Sequence, residues 1–480
     1  MTAPEAGGAA VARPNAAGDA MLALIARLYP ICRSITGPGV RETLHILKEQ
    51  APVEIHEVPS GTPVFDWVVP PEWRVREAWI KDPSGAKVVD FADHTLHLMS
   101  YSTPIQARMS LAELKRHLHA DPAHPDWIPY RTSYYQENWG FCLPWNQAQA
   151  LPEGEYEVLV DTSLAPGSLT YGECFIPGES PDEVLISTHI CHPSLANDNL
   201  SGIAVCMELI RGLLAARPKL SYRFLFIPGT IGSITWLARN EARLGAIVAG
   251  LSAVNLGDPG RLHYKRSRRG NARIDRAAAH VLAQKGGRIQ DFSPYGYDER
   301  QFCSPGINLP VGCLSRTPWG QFPEYHSSAD NLDLVRADAL EESLAAFRAV
   351  FEILERDQAY LNLSPKGEPQ LGRRGLYAAI GGRSDTKDFQ MALLWVLNQS
   401  DGGPTLLDIA ERAGLKGIHP HLLRSPIAAF DCDHVALETQ SASPAQLSPI
   451  SAQSPPPVLD PHGTTPEPCR LPAAPPPAGG

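Results

Sequence analysis

The stretch Ile186-Ser-Thr-His-Ile-Cys-His-Pro-Ser-Leu-Ala-Asn-Asp-Asn-Leu-Ser-Gly202 brings two histidines, a cysteine and an aspartate into one short loop. An apolar run that begins at Val184 precedes the loop, and an amphipathic run that predicts a helix over 201–216 follows it. A buried strand, a polar loop and a helix in this order are typical of a parallel α/β unit. Ligands of such sheets bind beyond the carboxyl ends of the strands, where this loop lies.

The central part of the chain repeats this alternation of strand and helix. The strand candidates begin at Tyr156, Glu183, Tyr222, Ile247 and Leu309. Helical apolar spacing is found between several of them, at 201–216, 231–243, 274–285 and 336–356. We therefore expect an α/β fold with a mostly parallel sheet flanked by helices.

Changes in composition and periodicity predict the domain organisation. Alternating apolar residues with proline and glycine punctuation indicate a small β-rich insertion, and a Pro-, Ser- and Ala-rich end indicates disorder. The predicted segments are a disordered leader at 1–19, an α/β domain from 20–52 and 126–370, an inserted β-rich domain at 53–125, a partial winged-helix-like unit at 384–418 and a disordered tail at 440–480.

The composition is that of an ordinary globular protein, with 43% hydrophobic and 20% charged residues among 480. No apolar run approaches the ~18 residues of a membrane span, and no signal-type segment begins the chain. The net charge of −10 argues against a nucleic-acid partner. The nine cysteines form no Cys-x-x-Cys pair, which favours reduced thiols. We expect a cytoplasmic protein with no membrane partner.

Histidines and carboxylates near strand ends predict a metal site. Zinc enzymes use these ligands and keep one position open for substrate or water. The candidate ligands are His189, His192, Asp198, Asp258 and His326. Asp198 stands just before a predicted helix N-terminus, where the helix dipole favours an anion. A metal-binding loop is therefore the favoured interpretation of the opening stretch.

Two other interpretations remain open. Cys191 would be a nucleophile if it paired with His189 or His192, although most free cysteines are buried and inert. A basic run is typical of a solvated face, but within a cleft it would bind a substrate carboxylate or phosphate. This run consists of Lys265, Arg266, Arg268 and Arg269.

Five longer motifs carry a family resemblance: Tyr134-Tyr-Gln-Glu-Asn-Trp-Gly-Phe-Cys-Leu, Cys191-His-Pro-Ser-Leu-Ala-Asn-Asp-Asn-Leu-Ser-Gly, Tyr264-Lys-Arg-Ser-Arg, Asp298-Glu-Arg-Gln-Phe-Cys-Ser-Pro-Gly and Glu324-Tyr-His-Ser-Ser-Ala-Asp-Asn-Leu. Through them, residues of about 20–415 resemble a bacterial aminopeptidase-like family of uncharacterised proteins, often found with polysaccharide biosynthesis genes. The resemblance implies a zinc-aminopeptidase-like α/β fold with an inserted β domain of unknown function and a C-terminal winged helix.

The resemblance also implies roles for the candidate ligands. His189 or His192 would be the first metal ligand, and Asp198 would bridge two metals. Asp258 would bind one of these metals and His326 the other. In the wider peptidase group an aspartate two residues after the first histidine orients that histidine. This chain has a cysteine there, so His192 is a further candidate ligand.

The chain departs from the family at Ile227-Pro-Gly-Thr-Ile-Gly-Ser-Ile. Related proteins read Pro-Glu-Thr here, and the wider peptidases have Glu-Glu, with a general base followed by a metal ligand. Gly229 has no side chain that accepts a proton. Unless another carboxylate acts as the general base, the reaction loses the rate acceleration of about 10²–10⁴ that such a base supplies. By motif, the nearest replacements are Glu299 and Glu324.

The C-terminal unit is expected to be truncated. Two helical runs within 389–414 and a glycine after them indicate the opening of a winged helix. The stretch Lys416-Gly-Ile-His-Pro-His-Leu-Leu-Arg-Ser-Pro then breaks any helix with two prolines. Few basic residues lie in this unit, which argues against a regulator that binds DNA.

The expected function is a zinc-dependent, aminopeptidase-like metallohydrolase that cleaves an amide or peptide bond through a metal-activated water. Its cofactor would be one or two Zn²⁺ ions, and its partner a small peptide or an aminoacyl or amide substrate. The alternative is a non-catalytic descendant that binds a metal or ligand in a pathway related to surface polysaccharides. The sequence leaves the oligomeric state open, including a homo-oligomer.

Overall fold

A computed structural model describes residues 16–372, 386–414 and 437–439, with the backbone alone for 386–389 and 437–439. All of them belong to one compact unit. The first helix begins at Ala16, within the segment predicted as a leader. The rest of that leader and the predicted tail at 440–480 lie outside the described residues. Among the described helices, none is both long and apolar enough to cross a membrane.

The core of the described structure is an eight-stranded, mostly parallel sheet. Its four central strands are mutually parallel, and the strands toward both sides include antiparallel pairs. In spatial order the strands are Glu54–Pro59, Ser168–Ile176, Ser221–Ile227, Glu183–His189, Ile247–Ala253, Val311–Ser315, His263–Lys265 and Arg288–Gln290. The predicted α/β fold with a mostly parallel sheet is confirmed.

Both faces of this sheet are covered. Every residue of Glu183–His189 and Ser221–Ile227 is buried, which explains their continuous apolar runs. One face packs against long helices and the other against Ile231–Asn240 and an inserted sheet. The described helices of eight or more residues in this α/β part are Ala16–Leu28, Pro38–Lys48, Gly202–Leu214, Ile231–Asn240, Arg273–Lys285 and Ala337–Arg356. The shorter ones are Leu111–Leu114, Trp145–Gln149 and Glu299–Phe302.

A second sheet is antiparallel and four-stranded, in the order Lys87–Asp90, Glu72–Lys81, Glu155–Ala165 and Ile105–Ser110. Four two-residue strands accompany it, at Pro63–Val64, Trp67–Val68, Leu118–His119 and Phe141–Cys142. The side chains of Ser110 and Glu113 form a reciprocal capping box at the start of a short helix.

Each of the two sheets contains a strand from the other side of a domain boundary that the sequence predicts. Glu54–Pro59, predicted within the insertion, pairs with Ser168–Ile176 in the main sheet. Glu155–Ala165, predicted within the α/β domain, pairs with strands of the inserted sheet. An alternating pattern identifies a strand and its buried face but does not identify its partner. The boundaries at 53 and 125 therefore do not separate the two sheets.

Within its described residues, the C-terminal unit has a small three-stranded sheet and two helices. Ala359–Asn362 lies between Asp401–Thr405 and Leu437–Thr439, and all its pairings are antiparallel. The helices are Thr386–Gln399 and Leu406–Ala413. Gly414 ends the second helix at φ +60°, a backbone conformation that glycine adopts without strain. The predicted break after Lys416 lies outside the described residues.

A buried ion network joins three neighbouring strands of the main sheet. Arg223 forms ion pairs with Glu173 and Glu183, and its side chain is 4% exposed. Trp236 Nε1 also donates a hydrogen bond to Glu173. Glu183 begins the strand that ends at His189, so this network holds the opposite end of that strand.

Arg223→Ala should lower the free energy of unfolding by about 3–5 kcal/mol, because it leaves the buried Glu183 without its counter-ion and Glu173 with only the more distant Arg243. Urea denaturation measures the change. Arg76→Ala is the matched control, since it breaks an arginine–carboxylate pair whose arginine side chain is 72% exposed. An equal effect of both substitutions would show that the buried network contributes no more than a surface pair.

Candidate metal centre

The polar loop lies directly beyond the central strand of the main sheet. The strand ends at His189, and a buried, irregular turn at Ala196–Ser201 leads into the helix Gly202–Leu214. Asp198 and Asn199 have non-helical backbone angles within this turn. The chain therefore turns away from a regular helix at the point where it presents the Asp198 carboxylate.

Three imidazole rings surround the carboxylate of Asp198. The Nε2 atom of His189 lies 2.9 Å from Oδ1, and the Nε2 atom of His326 lies 3.0 Å from Oδ2. The Nε2 atom of His192 lies 4.0 Å from Oδ2. His189, His192 and Asp198 can offer ligand atoms that all lie within 4.8 Å of one another. The structure thus brings together four of the five predicted ligands.

A second aspartate holds the backbone of this turn in place. The carboxylate of Asp330 accepts hydrogen bonds from the backbone N–H groups of Asn197, at 2.6 Å, and Asp198, at 2.9 Å. Burial raises the pKa of Asp330 to about 8. Asp330 was not among the residues predicted to form the site, although it lies in the same motif as His326, Glu324-Tyr-His-Ser-Ser-Ala-Asp-Asn-Leu.

The two histidines of the loop are also held by polar contacts. The side-chain amide of Asn199 donates to Thr188 Oγ1 and lies 3.4 Å from the Nδ1 atom of His189. The buried guanidinium of Arg33 donates to the backbone oxygen of His192 at 2.9 Å. The Asn199 contact bears on the orientation of the His189 ring, whereas the Arg33 contact holds only the backbone of His192.

The protonation states suit a cation. Burial lowers the pKa of His192 well below its usual value, so its ring is neutral near pH 7 and has a lone pair to offer. Burial opposes ionisation of Asp198, but His192, His189 and His326 outweigh it and hold the pKa of this carboxyl well below its usual range. The group therefore combines an anionic oxygen ligand with imidazole nitrogens.

Two side chains near the turn have buried polar atoms without hydrogen-bond partners among the described residues. Despite its short distance to Asp198, the Nε2 atom of His326 has no hydrogen bond of acceptable geometry within the described residues. The side-chain amide of Asn255 is also buried and has no hydrogen-bond partner among the described residues. The backbone N–H of Asn255 donates to the side chain of Asn199. Neighbouring ligand atoms around a tetrahedral zinc lie about 3.4 Å apart for bonds of about 2.1 Å. The 2.9–4.0 Å separations measured here bracket that value.

Asp258, the fifth predicted ligand, has a different set of contacts. Its carboxylate accepts hydrogen bonds from Thr317 Oγ1, from the backbone of Gly260 and from the side chain of Asn197. Asp258 is therefore connected to the turn through Asn197 and lies outside the His189–His192–Asp198 group.

The space beside Gly229 is filled by Tyr297. A Cβ atom added at Gly229 would lie 2.1 Å from Cε1 of the tyrosine ring. The Tyr297 hydroxyl donates to the backbone oxygen of Gly229 at 3.0 Å and lies 3.4 Å from the Sγ atom of Cys191. Its ring centre is 4.5 Å from that of His189. The glycine therefore leaves no cavity, because an aromatic side chain occupies the place of the expected carboxylate.

The two predicted replacements for the base lie outside the ligand group. Glu299 is buried and forms a 2.7 Å ion pair with Lys265, and its other oxygen accepts the backbone N–H of Tyr297. Glu324 is partly buried, and its backbone oxygen accepts hydrogen bonds from Ser327. Cys191 is buried, and burial raises its pKa to about 12, so a thiolate nucleophile is disfavoured.

A cavity of about 270 Å³ opens onto the centre. His189, His192 and Asp198 form part of its wall. Most of the remaining wall of the cavity is formed by Val254, Tyr295, Tyr297, Arg300, Trp319 and Tyr325. This volume is near the lower end of the range for small-molecule sites.

Comparisons with known proteins identify the family of this chain. The family model described as a domain of unknown function (DUF4910) matches residues 22–357, and a winged helix-turn-helix model matches residues 358–419. A protein of Clostridium acetobutylicum described as a polysaccharide biosynthesis protein with an aminopeptidase-like domain is 51% identical over 401 residues. That match covers 83% of this chain and 92% of the relative.

Solved structures share the fold. A crystal structure of a peptidase-like protein from Clostridium acetobutylicum matches with a TM-score of 0.83 and 47% identity, over 88% of this chain and 97% of that one. A zinc aminopeptidase from Bacillus subtilis matches with a TM-score of 0.53 and 12% identity, over 69% and 94% of the two chains, which shows the fold alone. The chain belongs to the DUF4910 family, with an aminopeptidase-like α/β fold and a C-terminal winged helix.

Proposed function

We propose that the protein is a zinc-dependent hydrolase of small amides or peptides. The observation that carries the proposal is the buried Asp198 carboxylate, which has three imidazoles around it and a cavity beside it. A bound zinc ion would polarise the carbonyl group of an amide and lower the pKa of a water molecule. The cavity would hold the substrate next to that ion.

We propose one ion, held by His189, His192, Asp198 and His326. Two observations favour one ion over two. Asp258 lies outside the group of ligand atoms that His189, His192 and Asp198 form, and positions 229 and 230 carry no carboxylate. The neutral imidazole of His192 and the anionic Asp198 would then be direct ligands, while Asp330 and Asn199 would keep them in place.

The site lacks a general base at the usual place. Burial raises the pKa of Tyr297 well above its normal value, so the phenol stays protonated and acts as a hydrogen-bond donor. It donates to Gly229 and accepts no proton from water. We therefore expect turnover reduced by the factor of about 10²–10⁴ that general-base catalysis typically supplies.

A second candidate function follows from the same observation. A centre whose base position is closed by an aromatic ring would also suit a protein that binds a metal and a small ligand without cleaving it. The description of the Clostridium acetobutylicum relative supports a role of either kind in polysaccharide biosynthesis. Peptide hydrolysis by the purified protein separates the two candidates.

The wild-type protein should contain about one zinc ion per chain, and His189→Ala and Asp198→Asn should each abolish stoichiometric zinc, because each removes a direct ligand. Elemental analysis of the dialysed proteins measures this. Asp330→Asn should weaken zinc binding by about 10–100-fold, since it loosens the backbone that positions Asp198.

His45→Ala is the matched control, because His45 is exposed on the helix Pro38–Lys48 and should leave zinc content unchanged. Zinc retained by Asp198→Asn, or no zinc in the wild-type protein, would contradict the proposed centre. Hydrolysis of alanyl-glycine by the zinc-loaded wild type, absent from Asp198→Asn, would identify an enzyme.

Gly229→Ala should destabilise the protein by about 1–3 kcal/mol, the usual cost of overpacking, because the new Cβ would overlap the ring of Tyr297. The same substitution in a Tyr297→Ala background should cost much less. Urea denaturation of the four proteins of this double-mutant cycle measures the coupling. Gly245→Ala is the control, since a Cβ there meets no atom within 4 Å.

Substitutions at the same two positions can also be tested by their effect on hydrolysis. Gly229→Glu alone should not restore a base, because Tyr297 occupies its space, whereas Gly229→Glu with Tyr297→Ala makes room for the carboxylate. Only the double variant should then gain hydrolysis of alanyl-glycine over wild type. If the effects of Gly229→Ala and Tyr297→Ala on the free energy of unfolding were additive, the Tyr297 ring would not exclude a side chain at position 229.

A further inference from the structure

One basic side chain in the cavity has no hydrogen-bond or ion-pair partner among the described residues. Arg300 lines the same cavity as His189, His192 and Asp198. Its Nε atom is buried without a hydrogen-bond partner, and within residues 16–372 and 386–414 its guanidinium forms no ion pair. Asp298 is near enough for the charge of Arg300 to favour its ionised form, but its carboxylate accepts a hydrogen bond from Ser233. Arg300 is partly buried, and its buried Nε atom lacks the hydrogen-bond partner that buried polar atoms normally have.

Three of the four residues of the basic run predicted from the sequence already have partners. Lys265 pairs with Glu299 and donates to the backbone oxygen of Tyr295. Arg266 donates to the backbone of Gly270, and Arg269 to that of Asn308. None of the basic residues at 265–269 lines the cavity. Arg300 is therefore the cation best placed to meet a ligand.

Aromatic rings form the rest of this side of the cavity. Tyr295 and Trp319 lie with ring centres 5.8 Å apart, and Tyr325 stacks on His326 with ring centres 3.9 Å apart. Tyr295 is 74% exposed, so this side is open to the solvent. With about 270 Å³ of space, the cavity holds a ligand that displaces about nine water molecules.

We propose that Arg300 and the flanking rings of Tyr295, Trp319 and Tyr325 form an anion-binding subsite next to the metal centre. The subsite selects small molecules that carry a carboxylate or a phosphate, which the planar guanidinium can bind with two parallel hydrogen bonds. The part of this proposal that concerns substrates rests on the proposed hydrolase function. The substrate class is then a small amide or peptide with a free acidic group, such as a dipeptide with its own C-terminal carboxylate.

Binding of simple anions tests the subsite without catalysis. Succinate and inorganic phosphate are titrated by calorimetry into wild type, Arg300→Gln and the control Arg217→Gln. Arg217 is exposed and precedes the strand Ser221–Ile227, at the end of the parallel strands opposite to His189. We expect Arg300→Gln to bind the preferred anion about ten- to a hundredfold more weakly, as for a lost charge-assisted hydrogen bond, and Arg217→Gln to bind it like wild type.

The tighter of the two probes identifies the acidic group as carboxylate or phosphate. Because phosphate also binds metals, the titrations are repeated in an Asp198→Asn background, where the Arg300 effect should persist. Arg300→Lys keeps the charge without the planar fork and should lose less affinity than Arg300→Gln. Unfolding midpoints confirm that the variants are folded. Equal affinities in wild type and Arg300→Gln, or no binding by wild type, would overturn the subsite.

Substrate selection gives an independent readout. Alanyl-glycine and alanyl-glycinamide differ only in the terminal carboxylate, so their ratio of kcat/KM should favour alanyl-glycine in wild type and fall about ten- to a hundredfold in Arg300→Gln. Hydrolysis with an unchanged ratio would refute the subsite and leave the hydrolase standing. Arg300-dependent anion binding with neither zinc nor hydrolysis would refute the hydrolase and leave the subsite standing.

Discussion

The buried carboxylate of Asp198 is the feature on which the rest of the site depends. A single carboxylate this deep in a protein needs positive charge or hydrogen-bond donors around it. Three imidazoles meet that need, and two of them come from its own loop, while His326 comes from a distant part of the chain. The turn before Gly202–Leu214, the hydrogen bonds from the backbone to Asp330 and the end of the central strand all serve to place this one group.

The fold and most of the centre were predictable because their determinants are local. Continuous apolar runs marked the buried parallel strands, and the residue types at the end of Glu183–His189 marked the candidate ligands. Strand partners were not predictable in the same way. The alternation within Glu155–Ala165 resembles that of any half-buried strand, and only tertiary packing places it in the antiparallel sheet.

The missing parts of the prediction are contacts between residues far apart in the sequence. Gly229 indicated a lost base, but the sequence could not show that Tyr297 closes the space, because the two residues meet only in the folded chain. In the same way, Glu299 was a reasonable replacement by motif until Lys265 was seen to bind it. Asp330 had no signal of its own, because its role is to accept backbone N–H groups.

The central claim is that histidine nitrogens and a carboxylate oxygen hold a zinc ion, while Cys191 stays outside its coordination. X-ray absorption at the zinc edge of the zinc-loaded protein tests this most directly. The account predicts nitrogen and oxygen ligands at about 2.0–2.2 Å and no sulfur. A sulfur ligand at about 2.3 Å would bring Cys191 into the centre and contradict the account, as would zinc held only by water.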